Sequence, residues 1–167
     1  DAFGRPHDTV FTRGGPERRT ARVVMDRTGR SPRVHAGLAG LRLLRTTGPA
    51  AGGAAPGGVT AVRIDALWRY GWGEVPFAVH GQQVRRALII AFAEDDAGSA
   101  YDTLLRMARA ALEGCPPMLG IRLRLAAAEH PAIDMTRYGM ENTGEVFAAA
   151  ARPRVAVELR LRRDELA

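Results

Sequence analysis

Four histidines and one cysteine are the side chains of this sequence best suited to metal binding or nucleophilic chemistry. Protein ligands of a metal usually recur at short, characteristic spacings, so spacing carries the signal. Here the histidines are widely separated, and Cys115 is followed by two prolines with no base beside it. We therefore predict no metal site and no catalytic thiolate, and we expect Cys115 to be structural. The histidines are His7, His35, His80 and His130.

Serine chemistry and phosphate binding find no support either. Ser31 and Ser99 are the only serines, and neither stands in a Gly-x-Ser-x-Gly motif, which argues against a serine hydrolase of that type. The glycine-rich residues 48–58 resemble a phosphate-binding loop, but no Gly-Lys-Ser/Thr follows them. We interpret this segment as a flexible connection between two structured elements.

The composition is that of a folded, basic domain. The chain has 167 residues, of which 46% are hydrophobic, and its net charge is +6 although it contains no lysine. Basic and aromatic residues are not interleaved as in single-strand-binding proteins, so we expect no nucleic-acid partner. No apolar run is long enough for a membrane helix, so we expect no membrane partner. One cysteine excludes an internal disulfide and favours a cytoplasmic setting.

Hydrophobic periodicity predicts five strands and two helices in the order strand, strand, strand, helix, helix, strand, strand. Apolar residues at alternate positions indicate half-buried strands, and apolar stripes at helical spacing indicate helices packed on one side. Ser99 and Asp102 have the spacing of a capping box at the start of the second helix, and Gly37 and Gly40 indicate a bulge. The predicted strands are 19–27, 33–47, 59–70, 119–127 and 153–163, and the predicted helices are 82–95 and 99–114.

These elements predict an α+β fold in two layers. Strands joined by short links form antiparallel sheets, and each helix needs a sheet face against which to bury its apolar stripe. The other face of the sheet carries many arginines and must meet water or another subunit. The polar, turn-rich residues 1–16 indicate an arm.

Four segments, in order along the chain, resemble the uricase (urate oxidase) family. Residues 11–21 are similar to the family's segment joining its two halves. Residues 37–48 resemble a strand ending in Leu-Lys-Thr-Thr-Gly, and residues 65–70 match Asp-Ala-x-Trp-x-Tyr. Residues 133–153 are similar to the family's closing block. Each match is short, but together they span nearly the whole chain.

The resemblance implies a tunnelling fold (T-fold), in which two helices cover one face of an antiparallel four-stranded sheet. It assigns residues 19–167 to a C-terminal T-fold domain and residues 1–18 to the arm or tail of a preceding T-fold domain. The additional strand predicted at 19–27 then belongs to the join. The family oxidises urate with O2 to 5-hydroxyisourate without a cofactor, in oligomers whose sheets close into a barrel with active sites at domain interfaces.

The resemblance also implies a substrate pocket, and this chain departs from it. The family's C-terminal half supplies a stacking phenylalanine, an arginine for the anion, a glutamine amide, an asparagine and a histidine. No family residue type is retained at the matching positions, and the family's catalytic lysine and threonine belong to the other half. The pocket-equivalent positions of this chain are Ala51, Gly58, Ala100, Tyr101, Ala127 and Glu129.

The sequence therefore leaves three functions open. The first is a structural or partner subunit without urate oxidase activity, in a homo- or hetero-oligomer with another T-fold chain or an N-terminal half. The second is a cofactor-independent oxidase of a related small heterocycle that uses Tyr101 and Glu129 as its catalytic candidates. The third is an active urate oxidase whose pocket is aligned differently. Arg63 replaces the missing arginine only after a register shift that reverses its face.

Overall fold

The computed structural model describes residues 8–25, 33–47, 57–71, 76–95 and 99–166. It contains a single antiparallel sheet with two helices, as predicted. The strands are β1 (Val10–Thr12), β2 (Arg18–Val24), β3 (Arg33–Thr47), β4 (Gly58–Tyr70), β5 (Met118–Pro131) and β6 (Val155–Arg162), the helices are α1 (Phe77–Ala93) and α2 (Ala100–Glu113), and two short 3-10 helices cover Thr136–Tyr138 and Arg163–Glu165.

Four long strands form the body of the sheet in the order β3, β4, β5, β6. Both β1 and β2 pair with the outer edge of β3, one after the other along its length. The additional strand predicted at 19–27 is thus β2, and residues 26–32 lie outside the described residues. The short strand β1 was not predicted, because three residues give too little alternation to recognise.

The helices bury one face of the sheet. Helix α1 packs on β3, and α2 packs on α1, β5 and β6. The strand residues under them are apolar at every second position, which confirms the alternation seen in the sequence. The buried strand residues are Val34, Ala36, Leu38, Leu41, Leu43, Val62, Ile64, Ala66, Trp68, Tyr70, Met118, Ile121, Leu123, Leu125, Leu159 and Leu161.

The helix ends differ in how well the sequence predicts them. Helix α2 begins at the predicted capping box, in which the Ser99 hydroxyl accepts from the Asp102 N–H and the Asp102 carboxylate accepts from the Ser99 N–H. Helix α1 begins at Phe77, five residues before the predicted start at 82. Its first turn is exposed, with Val79 at 53% exposure, so it carries no apolar stripe for the sequence pattern to detect.

A bulge in β3 lies where the two glycines predicted one. The register with β4 shifts between Leu38 and Leu41. Gly40 has φ +79°, a conformation that favours glycine, and an added Cβ would lie 3.0 Å from the carbonyl oxygen of Pro16. The Gly40 N–H donates to Oδ1 of Asp65 at 2.7 Å. Two of the segments that resemble the family therefore meet at this bulge.

The side of the sheet away from the helices, here called the open face, carries the alternate residues of each strand. Leaving out the first and last residue of each strand, six arginines and two carboxylates of β3 to β6 lie on it. The arginines are Arg42, Arg63, Arg69, Arg122, Arg124 and Arg160, and the carboxylates are Asp65 and Glu158.

One side chain, Asn142, makes several hydrogen bonds to the backbone of the loop between β5 and β6. The Asn142 amide donates to the carbonyl oxygens of Ile133 at 2.8 Å and Val146 at 2.7 Å. Its Oδ1 accepts from three backbone N–H groups, those of residues 144 to 146. Over the part of the chain that the structure describes, no helix is long and apolar enough to span a membrane.

Candidate functional site

The strand positions equivalent to the pocket lie at one end of the sheet. Gly58, the first residue of β4, pairs with Pro131, the last residue of β5. Ala127 and Glu129 precede Pro131 on the same strand. The remaining loop position, Ala51, lies outside the described residues.

The helical positions belong to the same end of the domain. Ala100 and Tyr101 form the start of α2, and Tyr101 is 49% exposed. The carboxylate of Asp95 contacts both Arg45 on β3 and Thr103 in the first turn of α2. The start of α2 therefore lies near the end of the sheet that contains Arg45. The sheet register and these contacts thus bring the described candidate positions to one end of the fold.

A row of three polar residues crosses this end of the sheet on the helix side. Arg45 of β3 pairs with Thr60 of β4, and Thr60 pairs with Glu129 of β5. Alternation places all three on the face that carries the buried residues. Sequence reasoning did not single out Arg45, although it stands at the lysine position of the Leu-Lys-Thr-Thr-Gly signature. The match of Arg45 to this lysine position could have identified it from the sequence.

The guanidinium of Arg45 is already engaged. Its Cζ lies 4.2 Å from the centroid of the Phe92 ring, and Nη2 donates to the Phe92 carbonyl oxygen. Nη1 lies 3.7 Å from Oδ2 of Asp95. A cation held by an aromatic ring, a carbonyl and a carboxylate is poorly placed to bind a further anion. Arg45 is therefore a structural clamp on the end of α1.

Asp95 joins the two helices to the sheet. It is 4% exposed, and its Oδ2 accepts from the Thr103 hydroxyl at 2.5 Å. Nε of Arg106 lies 3.5 Å from Oδ1. Buried carboxylates are stable only when paired and hydrogen-bonded. Asp95 is paired with two arginines and hydrogen-bonded through Oδ2, whereas its Oδ1 accepts no hydrogen bond from the described residues. These contacts hold the end of α1 against β3 and the first turn of α2 at the candidate site.

The neighbouring residues His130 and Arg63 do not belong to the row formed by Arg45, Thr60 and Glu129. Strand β5 continues through Pro131, so Glu129 and His130 alternate, and His130 pairs with Val59 instead. His130 Nδ1 accepts from the Ala150 N–H at 3.1 Å and thus anchors the β5–β6 loop. Arg63 lies on the open face, as its alternation with buried Val62 implies.

Metal and thiol chemistry gain no support. Among the described residues, no group of three or more histidine, cysteine, aspartate or glutamate side chains could hold a metal ion. Cys115 is fully buried at the end of α2. Burial raises the pKa of its thiol, an effect that the nearby charge of Arg163 opposes. A buried thiol with a raised pKa is a poor nucleophile, consistent with the structural role expected for Cys115.

Comparison with known proteins gives one consistent result. The Uricase family model matches residues 34–158. The chain is 32% identical over 168 aligned positions to the uricase of Arthrobacter globiformis, covering 95% of this chain and 55% of that protein. The crystal structure of the Arthrobacter globiformis uricase superposes with a TM-score of 0.74 at 29% identity, over 89% of this chain and 54% of that one.

A more distant uricase shares the fold. The uricase from Bacillus fastidious superposes with a TM-score of 0.64 at 16% identity, over 90% of this chain and 52% of that chain. The fold is thus the T-fold that the resemblance implied, in its α+β form with two helices on an antiparallel sheet. The chain spans about half the length of the uricases that it matches.

Proposed function

Given that this chain belongs to the uricase family, we propose that it is a T-fold subunit that assembles with another T-fold chain and does not oxidise urate by itself. The observation that carries the proposal is the chemistry at the pocket-equivalent positions. Gly58 and Ala127 offer no polar side chain where the family's pattern has arginine and asparagine, and Glu129 is acidic where the pattern has histidine.

Electrostatics supports the loss of urate binding. Urate is an anion, and a site for it needs a guanidinium that is free to pair with it. The arginine in the same row as Glu129 is Arg45, whose contacts with Phe92 and Asp95 already occupy it. Exposed Glu129 adds negative charge to this end of the sheet, which disfavours a second anion.

The partner role follows from how the family builds its site. The chain corresponds to one T-fold half, and the resemblance implies pockets formed between halves. The buried sheet, the capping box of α2 and the Asp95 contacts preserve the scaffold of that half. We propose that the other half comes from a second T-fold chain or from an N-terminal half, in a homo- or hetero-oligomer.

The test is a calorimetric titration of the chain with urate and with a non-oxidisable azapurine analogue, beside an absorbance assay for urate depletion. A charge-assisted hydrogen bond contributes about 1.5–3 kcal/mol, and aromatic stacking on a base contributes about 1–3 kcal/mol. Loss of several such terms should move a micromolar Kd beyond the millimolar range, since about 1.4 kcal/mol is tenfold. Saturable micromolar binding by the chain alone would overturn the proposal.

A second candidate is a cofactor-independent oxidase of a urate-related heterocycle. The observation that favours it is that Tyr101 and Glu129, both exposed, belong to the same end of the domain. A phenol and a carboxylate can position a heterocycle and move a proton. This candidate gains support if a purine or flavin-like heterocycle binds where urate does not. Tyr101→Phe or Glu129→Gln should then abolish turnover, while Tyr138→Phe, at another exposed tyrosine, should not.

A further inference from the structure

The open face concentrates the positive charge of the chain. Its six arginines and two carboxylates leave a surplus of four positive charges, within a chain whose total net charge is +6. The side chains of Arg63, Arg124 and Arg160 are 58%, 66% and 72% exposed, so this charge faces solvent.

Two of the cross-strand pairs on the open face place like charges opposite one another. Arg42 of β3 pairs with Arg63 of β4, and Arg122 of β5 pairs with Arg160 of β6. Like charges directly opposite in a sheet are destabilising unless an anion lies between them. Each pair therefore calls for a negative partner.

In one of these pairs a single carboxylate lies near both arginines. Glu158 lies 2.7 Å from Nη2 of Arg122 and 3.4 Å from Nη2 of Arg160. Oδ1 of Asp65 lies 3.4 Å from Nη2 of Arg63 and also accepts a hydrogen bond from the Gly40 N–H. Within the described residues, no carboxylate forms an ion pair with Arg42 or with Arg69, so these two arginines on the β3–β4 side of the open face remain unpaired.

A hollow of about 260 Å³ lies on the open face beside Arg122 and Arg124. Its walls include Thr20 of β2 on one side and Arg122 and Arg124 of β5 on the other, with Asp65 and Leu67 between them. Nε of Arg122 is buried without a hydrogen-bond acceptor. A buried donor without an acceptor costs free energy, and a carboxylate in the hollow would lie beside the Arg122 guanidinium, which favours charge-assisted hydrogen bonds.

We propose that the open face binds an extended acidic segment of a partner polypeptide, with carboxylates at Arg42 and at the hollow lined by Arg122. The proposal rests on the partner-subunit function and gives that partner its chemistry. Alternate residues of a strand lie roughly 7 Å apart, so an extended segment with acidic residues at every second position matches the arginine rows. Association of this kind gains rate and specificity from complementary charge.

A nucleic acid fits the open face less well. Proteins that bind single strands provide aromatic side chains on which bases stack, and the described residues of β3 to β6 present no phenylalanine, tyrosine or tryptophan on the open face, where His35 and His130 lie far apart. Asp65 and Glu158 also lie in the middle of the arginines, where they would repel a continuous phosphate backbone.

The experiment measures fluorescence anisotropy of a labelled peptide in which glutamate alternates with threonine, titrated with the full chain at low and moderate salt. We expect binding that weakens with salt, with Arg42→Gln and Arg122→Gln each raising Kd about fivefold. Arg109→Gln and Arg152→Gln remove the same charge from exposed positions outside the sheet and should change Kd by less than about twofold. Should Arg122→Gln disturb folding, Arg69→Gln takes its place, because Arg69 has no ion pair among the described residues.

Four results would overturn the inference. The peptide fails to bind at low salt, or the control variants weaken it as much as the open-face variants do. Alternatively, oligothymidine binds more tightly than the peptide with the same dependence on Arg42 and Arg122, in which case the open face is a nucleic-acid surface. If Arg42→Gln leaves assembly with a T-fold chain unchanged, the inference is wrong but the partner role stands. If the chain alone turns over urate, only the partner role is wrong.

Discussion

Asp65 of β4 holds the bulge of β3, because its carboxylate accepts a hydrogen bond of 2.7 Å from the backbone N–H of Gly40. The bulge changes the alternation of β3, so that Leu38 and Leu41 both point into the core. Without it, the second half of β3 would turn its apolar residues to the open face. One hydrogen bond between two family segments therefore sets the register of the strand that leads to the candidate site.

Gly40→Ala should destabilise the fold by more than the backbone conformation alone requires. A left-handed conformation costs an alanine about 1–2 kcal/mol relative to glycine, and the new Cβ at Gly40 would also press against the Pro16 carbonyl oxygen. Gly139→Ala is the matched control, since Gly139 has φ +71° but open space around its Cβ position. Urea denaturation of both variants measures the difference, and equal losses would show that the Pro16 contact contributes nothing.

Asp95→Asn should lower the free energy of unfolding by about 2 kcal/mol. This loss is smaller than that expected for a fully buried ion pair, because the Arg106 side chain is 54% exposed. The substitution removes the charge that faces Arg45 and Arg106 and weakens the acceptor for Thr103. Asp164→Asn is the control, because Asp164 pairs with Arg162 at the surface and such pairs contribute about 0–1 kcal/mol. Chemical denaturation compares the two, and a loss no larger than the control's would contradict the assigned role.

Arg163→Ala should also destabilise the domain. Its guanidinium donates to the carbonyl oxygens of Leu112 and Cys115 at the end of α2, and Nε donates to the Met118 carbonyl oxygen at 2.7 Å. Loss of these charged hydrogen bonds at a helix C-terminus should cost about 2 kcal/mol. Arg152→Ala, in the exposed loop before β6, should leave the thermal midpoint unchanged in the same calorimetric scan.

Glu158 should make stability depend on pH in the acid range. Its hydrogen bond with Arg122 lowers the pKa of this carboxyl below its ordinary value, with a further contribution from the charges of Arg160 and Arg124. A depressed folded-state pKa means that the stabilisation is present above the unfolded pKa and is lost as pH falls through the folded pKa. The Tm difference between the parent and Glu158→Gln should therefore be positive at neutral pH and vanish under acid conditions. A difference that persists at low pH would contradict this assignment.

The chain should form a complex larger than a monomer at micromolar concentration. The open face is charged, and the outer edge of β6 has no neighbouring strand among the described residues. Such an edge offers unpaired backbone groups to another chain. Light scattering measures the mass, and a monomer of 18.0 kDa throughout the concentration range would count against assembly of this chain with itself.

Strands and helices could be predicted from the sequence where patterns within a few residues determine them. Strand β3, its bulge and the capping box at Ser99 follow from alternation, glycine spacing and side-chain chemistry within a few residues. The start of α1 was missed, because exposed Phe77 and Val79 show no apolar stripe.

The chemistry of the site was less predictable. The contacts of Asp95 with Arg45 and Thr103 join residues from separate elements, and no local pattern encodes such pairing. Resemblance located the pocket-equivalent positions, whereas the occupation of the Arg45 guanidinium emerged only from the packing of Phe92 against it.

The open face owes its charge to arginine alone, since the chain contains no lysine. A guanidinium is a planar, delocalised cation and differs chemically from an amine. Amine-directed cross-linkers will leave the surface untouched, whereas arginine-directed dicarbonyl reagents will label it. Mass spectrometry of the adducts can then map, residue by residue, which arginines an occupant shields.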